Sequence, residues 1–343
     1  MTAAVDDDRR AALRGAKLAA LVAGHWGSGD RRSDALGAAV ALAGPGSVGW
    51  VLADEVPERT LGPALVWAER ERVQELHVVV DGSAAAAAVA RQAALFAPPV
   101  PQVWTVERAS VVPAVAAPAA RQPDAPAPPE LVDLLTDAGL EIVVEGGLVR
   151  GEINGLEVAR IVHGCTTAGV PLTDTQLEVG VGKADRELTA LVHGELAPVD
   201  QLARVVDIVR RHRRPGAPRH PLNQLVPDRW LRAVLCRNPG VVGLASVHPV
   251  AGVRPRPNLS ERDVAMAAGQ AADGTAAVVA CSVGIALDLV PSAADARAAT
   301  DPSAVLLLAV PERDDHPGTR RLAARLRSPA EVVPIPADWR AAG

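Results

Sequence analysis

Tyrosine is missing from this chain and phenylalanine occurs once, at Phe96, so its aromatic residues reduce to six tryptophans and one phenylalanine in 343 residues. That scarcity all but excludes the platforms of stacked rings that hold single-stranded nucleic acid by its bases. The core must instead be assembled from Ala, Val and Leu. Cysteine is almost as rare: Cys165, Cys236 and Cys281 are too far apart in sequence for a disulfide framework or a zinc pair, and they fit a reducing cytoplasm. Lysine is confined to Lys17 and Lys183. No apolar run approaches the roughly 18 residues of a membrane span. The opening residues, Met1 to Arg10, are acidic where a secretory signal would be basic, and a cytoplasmic location without membrane contact is expected.

What is present is ordinary for a globular protein: 49% hydrophobic and 22% charged residues, with length for about two domains. Trp50 to Ala53, Glu58 to Arg72, Leu76 to Val80, Ala84 to Phe96 and Val103 to Val106 read as strand, helix, strand, helix, strand. Ala277 to Val283, a helix near Ala293 to Ala299, Val305 to Val310, a helix near Pro317 to Leu326 and Glu331 to Ile335 repeat that order. Such alternation implies α/β architecture with βαβ-type parallel layers at both ends. Between them, a helix over Leu131 to Ala138 precedes strand patterns at Leu140 to Val144, Leu148 to Glu152, Leu156 to Val162 and Gln176 to Val181. A helix from Asp185 to His193 follows, giving an αβββα core with a mixed sheet, and Val199 to Arg211 reads as another helix. The Pro/Ala-rich stretch 113–129 reads as an extended linker. An N-terminal domain is expected over 1–112 and a C-terminal one over 130–343, comprising 130–198, a basic segment 200–263 and a terminal βαβαβ unit 275–336.

From Asp200 to Asp263 twelve Arg face five acids, a surplus of seven positive charges on a chain whose net charge is −5. Arg210, Arg211, Arg213, Arg214 and Arg219 crowd the end of a helix and the loop after it, a supply of guanidiniums suited to the phosphates of DNA or RNA. The alternative is a solvated helix end whose arginines complement the helix dipole.

Carboxylates on neighbouring strands supply the main chemical motif. Glu157 lies in Gly155-Leu-Glu-Val-Ala-Arg, and Glu178 and Lys183 lie in Leu177-Glu-Val-Gly-Val-Gly-Lys. Two carboxylates holding Mg²⁺ or Mn²⁺ beside a lysine that steadies water form a hydrolytic arrangement for phosphodiesters. Over about 65 residues, Leu131 to Glu195, the pattern resembles the core of the restriction-endonuclease-like nucleases. That resemblance implies Glu157 and Glu178 as catalytic metal ligands, Lys183 as the water-orienting base and Glu152 as an extra ligand. Glu178 and Lys183 stand five apart rather than two, so alignment needs a bulge at Gly180 or Gly182. The same acids also read as partners of Arg160 or Arg186 on a solvated sheet face. The chain further resembles an Ala- and Arg-rich actinobacterial protein family on these two segments and His220-Pro-Leu-Asn, a resemblance that implies no activity.

A rival reading is a non-catalytic protein binding a nucleotide or protein partner at strand ends, where open parallel sheets receive ligands. Asp81, Ser282, Asp288, Glu312 and Arg313 are its candidates. Asp315 or a neighbour reads as the cap of the helix at Pro317, and Asp185 as the cap of the helix that it begins. Trp230 and Leu231 are expected to anchor a helix from which Arg229 and Arg232 face outward. Gly180-Val-Gly-Lys departs from the phosphate-loop pattern at Leu177 and Ala184.

Overall fold

The structure, a computed structural model, describes residues 2–53, 55–166, 169–193, 197–254, 256 and 258–342. Helix α1 (Thr2–Trp26) turns Leu18, Leu21 and Val22 into the interior. Strands β1 (Arg32–Leu36), β2 (Ala39–Ala43), β3 (Val48–Leu52), β4 (Glu75–Asp81), β5 (Gln102–Glu107) and β6 (Ser110–Pro113) form one sheet in sequence order. Helices α2 (Leu61–Arg70) and α3 (Ser83–Ala93) join β3, β4 and β5, which run parallel as the alternation implies. The remaining pairs are antiparallel, which short connections permit. Helix α1 and the β1–β2 hairpin lie in a stretch to which the sequence reading assigned no element.

Residues 114–128 have no regular structure, as expected of a linker, yet Ala125 and Ala127 pack against a hydrophobic core. Helix α4 (Pro129–Asp137) then leads into β7 (Glu141–Glu145), β8 (Leu148–Ile153), β9 (Leu156–Val162) and β10 (Gln176–Val179), in the order β10-β9-β8-β7. This sheet corrects one expectation: every pair is antiparallel, not mixed. Each connection returns directly to the neighbouring strand, and without a crossover no parallel pair can form. Helices α5 (Gly182–His193), α6 (Pro198–His212) and α7 (Pro227–Arg237) follow.

The last sheet orders β11 (Ser246–Val250), β12 (Ala265–Gln270), β13 (Ala276–Cys281), β14 (Val305–Pro311) and β15 (Glu331–Ile335) consecutively. β13 and β14 are parallel, with α8 (Leu289–Thr300) between them in the chain and α9 (Pro317–Ala324) before β15. The β11–β12 antiparallel pair was not anticipated. Nor was the cap of α9, where His316 Nδ1 accepts from the Gly318 N–H in place of Asp315.

Two compact units result: unit 1 is Met1–Ala119, Ala286–Ala299 and His316–Glu331, and unit 2 is Ala120–Ile285, Thr300–Asp315 and Val332–Gly343. The C-terminal part is therefore not one continuous body from 130 to 343. Unit 1 closes a core of Leu18, Val22, Leu42, Trp50, Leu52 and Val79. Unit 2 has one core around Leu135, Leu156, Val158, Ile161 and Val206, and another around Trp230, Leu231, Val279 and Trp339. Among the described residues no helix is long and apolar enough to cross a membrane.

Candidate functional site

Glu157 sits on β9 and is 2% exposed, in place of the solvated sheet face considered above. Its carboxylate accepts from Arg150 on β8, from Arg160 Nε at 2.7 Å and from an Arg186 terminal nitrogen at 3.1 Å. Burial pushes its carboxyl up, and the charges of Arg150, Arg160 and Arg186 outweigh burial and hold it below the ordinary glutamate range. Arg186 Nε lies 3.7 Å from a carboxylate oxygen of Glu178 on β10. A guanidinium therefore occupies the place between the two acids that a shared metal would need.

Lys183 falls on a different element from Glu178. β10 ends at Val179, and Gly180 (φ 138°) and Gly182 (φ 79°) turn the chain into α5, so no strand bulge brings the two into register. The turn is held by Asp185, whose carboxylate accepts from the Val181 N–H at 2.6 Å; α5 begins at Gly182, so Asp185 reaches back from within the helix and does not begin it as expected. A Cβ at Gly180 would meet the Arg186 backbone nitrogen at 2.9 Å, so this close approach requires glycine. Lys183 is exposed in the first turn of α5, with Nζ 3.8 Å from Glu187. Glu152, on β8, is buried and accepts from Arg229 at 3.2 Å and Arg232 at 3.0 Å. Glu145 also accepts from Arg229. Among the described residues no group of three His, Cys, Asp or Glu side chains is placed to hold a metal ion. Glu152 and Glu157 are already bound by guanidiniums, and no step through a divalent ion can be derived from them.

Arg229 and Arg232 correct the expectation that they face out: both are buried on α7. Gly155 explains how α7 comes so near the β8–β9 turn, since a Cβ there would lie 2.3 Å from the Arg229 carbonyl carbon. Arg213, expected to bind phosphate, needs the same correction. It is 1% exposed, donates to the carbonyls of Asn154, Leu222, Leu225 and Val226, and lies over the Trp230 ring. Arg210 is exposed but donates to the carbonyls of Ala138 and Gly139 at the end of α4. Arg211 pairs with Asp207, and Arg214 donates to the Arg211 carbonyl. Arg219 is exposed.

The strand-end candidates are dispersed. Asp81 is held by Lys17 at 2.7 Å and Asp288 lies 3.7 Å from Arg59, both within unit 1. In unit 2, Ser282 is buried, and Glu312 and Arg313 begin the turn after β14.

What unit 2 brings together is a cavity of about 790 Å³. Lys183 and Arg186 line it from α5, Arg150 and Arg160 from the sheet, and Arg229 from α7. Arg121 joins from the segment read as linker, and Arg254 and Arg256 from the loop before β12. Against these eight cations the described lining holds two acids, Glu145 and Glu157, and no aromatic ring. The sequence reading overlooked Arg121 and Arg150, and counted Arg254 and Arg256 only as part of the basic segment 200–263. They come from stretches remote in the chain, and no local pattern marks them. Burial lowers the Arg186 pKa and the like charges of Arg160 and Arg150 add to that, while Glu157 and Glu178 oppose it. Several of these cations also meet acids outside the lining, Arg254 with Asp263, Arg256 with Asp228 and Lys183 with Glu187. Compared with known proteins, the chain matches no protein-family model, no curated protein and no solved structure.

Proposed function

We propose that unit 2 binds a phosphate-bearing ligand of the nucleic-acid class in the arginine-lined cavity, and that Glu157 organises guanidiniums instead of a catalytic metal. The convergence of eight cations on one cavity carries this reading. Guanidiniums fork onto phosphate oxygens and release counterions, giving affinity with little base preference, and the absence of rings from the described lining agrees with recognition through the backbone. The volume also suits a free nucleotide, which is the second reading.

Fluorescence anisotropy with labelled single- and double-stranded DNA, RNA and a nucleoside triphosphate separates these readings. Between about 50 and 200 mM salt, log affinity should fall linearly with log salt, and Arg121→Gln and Lys183→Gln should each lower the slope by about one. Absence of binding at low salt would sink the proposal. Cleavage in Mg²⁺ or Mn²⁺ that is abolished by Glu178→Gln would restore the nuclease reading.

A further inference from the structure

A second cavity in unit 2, of about 650 Å³, opens where β13 and β14 end: Val283 and Gly284 line it just past β13, and Arg313 and Asp314 just past β14. These strands are parallel, and the loops beyond the carboxyl ends of parallel strands converge on ligands. Four arginines line this cavity, Arg219, Arg262, Arg313 and Arg340, against one described acid, Asp314. That acid is engaged, accepting from the Gly284 N–H at 2.8 Å and standing 3.8 Å from Arg313 Nε.

Arg340 is the informative residue. Its guanidinium lies 5.1 Å from the centre of the Trp230 ring and 4.9 Å from that of Trp339, which fixes its plane, and its Nε is buried with no acceptor. No hydrogen bond or ion pair links Arg340 or Arg219 to another described residue. Burial lowers the Arg340 pKa, and the like charge of Arg313 lowers it further. His220 also lines the cavity. Its Nδ1 accepts from the Leu222 N–H at 3.3 Å, so in the neutral ring Nε2 carries the proton and can donate. Arg340, partly withdrawn from water beside the like charge of Arg313, is stabilised by an anion brought against it.

We propose that this cavity is a second oxyanion site, taking a dianionic phosphate monoester between Arg219, Arg313 and Arg340. It requires none of the cations of the first cavity, and Ser260 lines both, which places the loop around it between the two sites.

The test is titration of the full-length protein with inorganic phosphate, glycerol phosphate and dimethyl phosphate, followed by calorimetry. Saturable binding of the first two, with dimethyl phosphate weaker, is the expected result. Arg219→Gln and Arg340→Gln should each weaken it about tenfold, while Lys183→Gln leaves it unchanged. Arg340→Gln removes packing on two tryptophans, so exposed Arg219→Gln serves as the variant that leaves the core intact. Wild-type affinity in both arginine variants, equal binding of the diester, or loss in Lys183→Gln alone would each overturn the second site. Loss of polynucleotide binding in Lys183→Gln with phosphate binding retained would show the two cavities acting separately. Phosphate binding that Arg219→Gln weakens, in a protein that binds neither polynucleotide nor nucleoside triphosphate, would refute the first proposal and leave this one standing.

Discussion

In unit 1, Trp26, Trp50 and Trp104 gather around His77, with ring centres 4.9, 5.7 and 5.9 Å from the imidazole, and the Trp104 indole donates to His77 Nδ1 at 3.1 Å. In unit 2 the interior holds Arg186, Arg213, Arg229 and Arg232, matched to Glu152, Glu157 and backbone carbonyls. One unit spends most of a small stock of large rings on its core. The other buries guanidiniums, most of whose donors meet carboxylates or carbonyls, which is what makes their burial tolerable. The first arrangement is aromatic around a single buried imidazole. The second ties stability to particular partners, and Arg186 and Arg229 of that interior also line the candidate cavity.

Removing one buried acid should separate the units most strongly. Glu157→Ala strands three arginines and is expected to cost unit 2 about 3–5 kcal/mol. Urea unfolding checks this; a loss below about 1 kcal/mol would mean that the buried ions are not interdependent. Arg213→Ala should follow at about 2–4 kcal/mol, because four carbonyls lose their donor. Arg211→Ala, two residues away and exposed beside Asp207, should change stability by less than about 0.5 kcal/mol. Equal effects at the two positions would erase the distinction between structural and solvated arginines. In unit 1, Trp104→Phe keeps one aromatic ring but loses the other half of the indole with its donor to His77, an expected cost of about 1–2 kcal/mol.

The gentlest contrast is in pH. Burial, the dominant cause, pushes the His77 pKa below its usual 6.5, so its contribution is present above 6.5 and is lost as pH falls through the lower folded value. Burial pushes Asp228 from 3.8 up to about 6 despite its pairing with Arg256, so its contribution is present below 3.8 and is lost as pH rises through about 6. On acidification below about pH 6.5 the two groups therefore act in opposite directions. Thermal melts of His77→Phe and Asp228→Asn across that range should each flatten one limb. An unchanged profile in both variants would remove the pH difference between the units.

The parallel strands β3, β4 and β5, the β13–β14 pair and helices α3, α6 and α9 were legible because each declares itself within a few residues through apolar periodicity. Helix α1 escaped, since its opening is acidic and its buried stripe of Leu18, Leu21 and Val22 is short. The acids on β9 and β10 were found, and so were Arg160 and Arg186 as their partners. One strand alone could not separate that pairing from the metal reading, because a carboxylate that meets guanidiniums and one that meets a metal look identical in it.

The sequence by itself determined the alternation of strands and helices, the glycine turn before α5 and the concentration of arginine after residue 200. These depend on backbone preferences and on neighbours three or four residues away. Only the tertiary structure decided which arginines would be buried and which would face a cavity. Glu152 meets Arg229 across 77 positions and Asn154 meets Arg213 across 59, and the free energy of a buried charge depends on whether such a distant partner arrives.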